Sequence, residues 1–346
     1  MHLSLDSGWR MPAEWARHTA TWMVWPHNQA LWESGWHVRL ADVQQDYARV
    51  AAAIARFEPV KMAVDPSAWQ SARALCGANI ELVEMAVDDS WCRDSGPSFV
   101  CHPQHGLAGL SWRFNAWGGK SQHGQDRSLS RRILDHLGLD GFSTALCNEG
   151  GAIHVDGEGT LITTESVLLN PNRNPGVSKA EFEACFARYL GIRKTIWLPG
   201  DPQYITGDMT DGHVDGICAF ARPGVLLVDA THDQHSVYAE VVRENRRALE
   251  LATDAQGRHF ELLDLYEASA AVDQDAEVFC ASYTNFYIAN GAIIMPAYGI
   301  AADQEAASQL AHAFPGREIV PVRIDHIAHG GGGIHCITQQ QPEVQP

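Results

Sequence analysis

The sequence has no apolar run near the roughly 20 residues that a membrane-spanning helix needs, so no membrane association is expected. The stretch Met1 to Trp15 has no basic segment followed by an apolar one, so no secretory leader is expected either. Basic residues are scarce. With 25 Lys and Arg against 42 Asp and Glu, the formal net charge is −17. Binding to nucleic-acid phosphates needs a basic face, and this balance argues against such a partner. The acidic excess favours solubility and suits attraction of a small cationic substrate. The 8 cysteines include no CxxC pair: Cys76, Cys92, Cys101, Cys147, Cys185, Cys218, Cys280 and Cys336 are scattered. That spacing argues against structural zinc. A disulfide framework is not expected in a chain of 346 residues without a leader. The expectation is reduced, mostly buried thiols, at most one of them reactive, in the cytoplasm. No Pro/Ser-rich linker or low-complexity segment interrupts the chain, so residues 1–346 read as a single domain.

What is present is a globular balance, 45% hydrophobic and 19% charged, in which strand-like runs alternate with helical patterns. Helices are expected over 42–57, where Val43, Tyr47, Val50 and Ile54 recur at helical spacing, and over 236–252 and 304–313. Strands are expected over 60–64, 80–87 and 319–324. Strand pairs are expected over 107–114, 152–169 (turning at Asp156 to Gly159), 214–228 (turning at Arg222-Pro223-Gly224) and 286–295 (turning at Asn290-Gly291). The pattern is that of repeated α/β units. No internal repeat is evident in the residues themselves, because the units differ in length and loop content.

Four polar clusters place reactive groups beside glycines: Trp91 to Pro97 (WCRDSGP), Asn148 to Gly151 (NEGG), Asp211 to Gly216 (DGHVDG) and Gly330 to Gln340 (GGGGIHCITQQ). Four consecutive glycines, Gly330 to Gly333, are destabilising unless close backbone approach or positive φ is required. They end just before Cys336, at the start of a strand-like pattern. His213 and Asp215, two apart, face the same side if the segment is a strand. Taken alone, each cluster has a plain structural reading: a loose loop before a buried cysteine, a surface His–Asp pair, a salt-bridged turn at Asp94, an ordinary carboxylate at Glu149. Taken together they form a complete set for one reaction. A guanidinium is planar and matches carboxylates in paired hydrogen bonds. Asp94 and Asp215 can hold its nitrogens while Cys336, as thiolate, attacks the central carbon. His213 can protonate the departing ammonia and then deprotonate water. Glu149 can orient His213 and bind a guanidinium nitrogen.

At these residues the chain resembles the agmatine deiminase family, grouped with the bacterial peptidylarginine deiminases. The matching stretches are MPAEW (Met11 to Trp15), TWMVWP (Thr21 to Pro26), WCRDSGP, FNAWGG (Phe114 to Gly119) and the long run Asn148 to Pro175. IWLPG (Ile196 to Gly200), GHVDGICAFARPG (Gly212 to Gly224) and GGGGIHCITQQQP (Gly330 to Pro342) continue the series in order. The resemblance implies a pentein fold, a five-bladed α/β propeller with pseudo-fivefold repeat of ββαβ-type units around a central substrate channel. It implies thiol catalysis with no metal or other cofactor, and a homodimer or higher homo-oligomer. Residue by residue, it implies Cys336 as nucleophile, His213 as general acid/base and Asp94 and Asp215 as guanidinium binders. Glu149 matches the family glutamate, and Trp91 matches a tryptophan lining the substrate pocket. The implied reaction converts agmatine to N-carbamoylputrescine with release of ammonia. Met209 departs from the pattern, standing where the family carries an acid for the substrate's distal amine; Asp208 is one residue away.

Other guanidino substrates, another alkylguanidine or a peptidyl arginine, are the main alternative. An amidinotransferase shares the covalent cysteine step but passes the amidino group to an amine. A metal-dependent amidinohydrolase would release urea, and the HxD pair with 17 histidines is slender support for it. A silent binding module is disfavoured by the retention of all five reactive positions.

Overall fold

Three parallel strands open the fold: β1 (His18–Val24), β2 (Val60–Val64) and β3 (Ile80–Glu84). The computed structural model describes residues 8–203, 207–272 and 278–344, so the first part of the segment read for a leader lies outside it. Helix Leu40–Ile54 connects β1 to β2. Its buried stripe of Val43, Tyr47, Val50 and Ile54 follows the helical spacing, which is why this segment packs against the sheet.

Four units follow, each an antiparallel hairpin, a helical crossover and a third strand parallel to the second. In the first of these, β4 (Ser98–His102) pairs with β5 (Gly106–Arg113), and helix Leu129–Leu137 leads to β6 (Gly141–Cys147). Next come β7 (Ile153–Val155) and β8 (Thr160–Thr164), helix Lys179–Leu190 and β9 (Lys194–Leu198). A capping box between Ser178 and Glu181 starts that helix, and Gly191 in the left-handed conformation stops it. The third contains β10 (Cys218–Arg222), β11 (Val225–Ala230), helix Val237–Leu251 and β12 (Glu261–Tyr266). The last contains β13 (Tyr287–Ala289), β14 (Ala292–Ala297), helix Ala302–Ala313 and β15 (Glu318–Arg323). The middle strands β11 and β14 are buried along their whole length, as expected of strands covered on both faces.

The opening sheet follows the same plan once the far end of the chain is added. Strand β16 (Thr338–Pro342) runs antiparallel to β1 and supplies its missing hairpin partner. Among the described residues five sheets result, four of three strands and one of four.

Most strand patterns expected from the sequence are found, several with shifted limits, but 107–114 is not a strand pair: it is the single strand β5, whose hairpin partner β4 lies ahead of it in the chain. The 152–169 segment is β7 and β8 followed by a helical turn at Glu165–Leu168. Asp156 makes its turn by accepting hydrogen bonds from the backbone of Glu158 and Thr160. The 214–228 hairpin begins only at Cys218, because Val214–Gly216 forms a 3-10 turn. A comparable tight turn precedes each hairpin: Cys92–Ser95 before β4, Gly150–Ala152 before β7, residues 283–284 before β13 and 334–337 before β16. All four polar clusters of the sequence lie at these turns.

A buried polar network fastens the opening sheet to the last unit. Glu58 accepts from His18 Nδ1 at 3.0 Å, from Tyr287 Oη at 2.9 Å and from the Asn290 backbone at 2.7 Å. Removing one partner of such a network strands the others without water. Glu58→Ala is therefore expected to cost about 3–5 kcal/mol, measured as a lowered urea midpoint with unchanged slope.

Candidate active site

The turn before β16 carries Cys336, whose backbone N–H donates to Asn285 Oδ1 (3.2 Å) and whose carbonyl accepts from the Arg93 backbone (3.1 Å). The glycines ahead of it have distinct reasons. Gly331 has φ +82°, in the left-handed region. A Cβ on Gly330 or Gly332 would lie 2.8 or 2.3 Å from the Trp91 ring, and one on Gly333 would lie 2.7 Å from Asn285 Oδ1. The backbone thus passes close over Trp91, which itself packs against Trp32 and Trp36.

The other lead-in turns bring the remaining candidates to the thiol. Asp215 Oδ2 lies 3.7 Å from Cys336 Sγ. Asp94 accepts from the Gly151 backbone at Oδ1 and from Trp117 Nε1 at Oδ2, both at 2.9 Å. Trp117 reaches it from a turn in which Ala116 and Trp117 both have positive φ, 53° and 56°, strain of the kind that functional sites hold. His213 Nε2 is 3.1 Å from Glu149 Oε2, while its Nδ1 faces Asp94 Oδ1 at 3.8 Å and has no hydrogen-bond partner. His213 and Asp215 converge through the 3-10 turn rather than by strand alternation, which corrects the geometry expected for the HxD pair. Gly151 sits at the centre. A Cβ there would lie 2.7 Å from His213 Nδ1, 2.8 Å from Asp215 Oδ2 and 3.0 Å from Asp94 Oδ1. These three groups close on the side-chain-free face of Gly151, where even a methyl group would force them to shift.

Glu149 stands behind His213. Arg173 Nε donates to both of its oxygens (3.0 and 2.9 Å), and Glu149 lines neither cavity at the site. Its position suits orienting His213 rather than touching a ligand.

Burial disfavours charge on every one of these groups, and their neighbours decide the outcome. For His213, burial works against the cation, but Asp94, Glu149 and Asp215 outweigh it and raise its pKa to about 9. Burial raises Asp94, with the His213 charge only partly opposing it. For Asp215, burial is overcome by His335, His213 and Arg93, which hold it below the usual carboxylate value. The Cys336 thiol is pushed well above its ordinary value by burial and by the carboxylates of Asp215 and Asp94.

Two cavities meet at Cys336. One is a crevice of about 20 Å³ between Trp36, Trp91, Trp117 and Met209. The other, about 400 Å³, is lined by the carboxylates Asp201, Asp208, Asp215, Asp229 and Glu267 together with Val228, Val241 and Phe279; no Lys or Arg is among its described lining residues. Met209 thus stands in the apolar crevice, with its carbonyl accepting from Lys120 Nζ at 2.7 Å. Asp208 accepts from the Thr210 and Gly212 backbones and so holds the turn before His213.

Residues that the chemistry-first reading did not single out are Arg173, Trp117, Asn285, Glu14 and His335. Four of them lie inside quoted stretches: Glu14 in MPAEW, Trp117 in FNAWGG, Arg173 in the Asn148 to Pro175 run and His335 beside Cys336. Their partners, however, are distant in the chain. Among the described residues, Glu14, His154 and His335 place possible metal-ligand atoms within 4.8 Å of one another. Arg93 Nη1 is already 3.3 Å from Glu14 Oε1, and its charge lowers the pKa of both histidines. A metal cation there would face that fixed charge, so the group reads as an ion-pair network.

A family model described as Porphyromonas-type peptidyl-arginine deiminase matches residues 10–342. The agmatine deiminase of Ectopseudomonas mendocina is 42% identical, over 98% of this chain and 96% of its own length. That of Medicago truncatula is 40% identical, over 97% of each. The structure of Enterococcus faecalis agmatine deiminase matches with a TM-score of 0.92 at 34% identity, covering 98% of this chain and 97% of that one. DDAH from Pseudomonas aeruginosa, at 12% identity and a TM-score of 0.54 over 94% of this chain and 99% of that one, shares the fold alone. The five sheets are the five-bladed pentein arrangement that the resemblance implied.

The central position of Gly151 carries a prediction. Gly151→Ala is expected to leave the protein folded by circular dichroism and to abolish binding of a guanidinium ligand in calorimetry, because the methyl group would push His213, Asp215 and Asp94 out of alignment.

Proposed function

Because this chain belongs to the Porphyromonas-type peptidyl-arginine deiminase family, we propose that it is a hydrolase of guanidino C–N bonds acting on agmatine, as its relatives' names state of them. The observation that carries this reading is the convergence of Asp94, Asp215 and His213 at Gly151, with Asp215 in contact with the Cys336 thiol and Cys336 lining both cavities. The acid-lined cavity of about 400 Å³ suits a substrate with an aliphatic chain and a cationic end. On this reading the five units act as one domain. Free thiols throughout the described chain suit a reducing cytoplasm, and no described helix is long and apolar enough to cross a membrane.

The steps follow from the charges. In the empty site Cys336 is a thiol, because burial and two carboxylates oppose a thiolate. A guanidinium between Asp94 and Asp215 offsets those carboxylates and lets the thiol ionise, its proton passing to solvent water through the cavity. Sulfur then bonds to the central carbon. Protonated His213 gives its proton to the departing amino group, and ammonia leaves an S-alkylthiouronium on Cys336. Neutral His213 next takes a proton from water, the oxygen bonds to the same carbon, and the C–S bond breaks to give the ureido product and the free cysteine. Glu149, locked by Arg173, holds the His213 ring and keeps it protonated at the start.

The raised His213 sets a direction for pH. The acid form is present below about 9 and is lost above it, so kcat/KM is expected to fall as pH rises through that value. Glu149→Gln withdraws one of the raising charges. The alkaline limb should therefore move to lower pH, with kcat down by about 10²–10⁴-fold.

The deciding measurement is product analysis. Agmatine should yield ammonia and N-carbamoylputrescine in equal amounts and be preferred over n-butylguanidine, which lacks the distal amine. Cys336→Ala should release nothing, and chelators should have no effect. Urea as product, or full activity in Cys336→Ala, would sink the reading.

A further inference from the structure

We propose that Glu14 and His335 are positioning residues that act through Asp215, forming a buried carboxylate–imidazolium–carboxylate relay that holds the guanidinium-binding carboxylate charged and aligned. The proposal rests on the guanidine-hydrolase reading.

Both ring nitrogens of His335 are engaged by carboxylates: Nδ1 is 2.8 Å from Asp215 Oδ2, and Nε2 is 2.9 Å from Glu14 Oε1. A neutral imidazole has one N–H and cannot donate to both, whereas the imidazolium can. The geometry therefore calls for a cation at His335, and the flanking carboxylates raise its pKa against burial and the Arg93 charge. Glu14 is held as an anion in turn. Arg93 Nη1 lies 3.3 Å from its Oε1 and His154 Nε2 lies 3.7 Å from its Oε2. All of these groups are buried.

The relay ends on a single atom. Asp215 Oδ2 receives the His335 N–H and also contacts the Cys336 sulfur. His335 thus fixes the rotamer of the carboxylate against which the guanidinium must lie, and opposes the burial that would otherwise protonate it. The other groups acting on Asp215 are His213 and Arg93, which favour its charge. Asp94, Cys280 and Cys336 also lie within its electrostatic reach, as does His154. Around His335 the charged groups are Arg93, Glu14 and Asp215, and the titratable His154 is held neutral by burial, which lowers its pKa to about 4. Removing the His335 charge leaves burial of Asp215 less opposed, so its carboxyl should hold a proton to higher pH. Guanidinium binding weakens at acid and neutral pH as a result.

The test compares wild type with His335→Asn and with the isosteric Glu14→Gln. In His335→Asn, KM for agmatine at neutral pH should rise about 10-fold, the acid limb of kcat/KM should move up by about one pH unit, and kcat should fall by a smaller factor. Glu14→Gln should shift KM and the limb in the same direction by less. A merely structural role would lower the active fraction without moving the limb. Unchanged KM and acid limb in both variants, with the fold intact by circular dichroism, would overturn the proposal. A readout that needs no turnover is the 15N shift of the His335 ring. Both nitrogens should be protonated across neutral pH in wild type, and a neutral ring would equally overturn it. Failure of wild type to hydrolyse any guanidine, with the ring still an imidazolium, would count against the hydrolase reading and leave the relay standing.

Discussion

The site depends on negative charge held where water has been displaced. Asp94, Glu149 and Asp215 are all buried within one small space, and each would be driven to protonate if left alone. Each is stabilised by a different device. Glu149 is clasped by Arg173, which Asp211 and the Thr210 carbonyl hold from the other side. Asp215 leans on His335. Asp94 has only a backbone N–H, the Trp117 indole and the nearby His213, and it alone of the three is raised. That gradation matters for binding, because an incoming cation gains most beside the carboxylate with the least existing compensation.

Much of this could be read from residue order, and the rest could not, for physical reasons. Cys336, His213, Asp94, Asp215 and Glu149 were legible because each sits beside glycines, and the structure brings all five to neighbouring turns. The tetraglycine was read as close approach or positive φ, and both occur, the first at Trp91 and the second at Gly331. Helix Leu40–Ile54 and strand β2 were plain from periodicity. Glu14 and Arg93 were not, because their meaning lies in partners brought together only by folding: Glu14 meets a histidine 321 residues away. Trp117 was hidden for another reason. Its indole reaches Asp94 through a backbone conformation that periodicity cannot report.

The fivefold plan was likewise invisible as a repeat of residues. The turns Cys92–Ser95, Gly150–Ala152 and Val214–Gly216 share a place in the architecture and no common side chain. Topology repeats while chemistry diverges, so that equivalent turns deliver a carboxylate, a glycine that lets the other groups pack closely, and a histidine–aspartate pair to one centre. The shared backbone plan keeps the geometry constant, and side-chain variation at each turn assigns the roles.

The pairing of β16 with β1 has a consequence for biosynthesis. Strand β1 is translated ahead of the other described strands, yet one of its edges has no partner until β16 has followed. Until then that edge is a template for wrong pairing, and the turn bearing Cys336 does not exist. A prematurely terminated chain lacking β16 therefore carries an open edge and no assembled centre. Maturation of the thiol is tied to completion of the ring, and quality control that recognises unpaired strand edges would clear the same chains that cannot act.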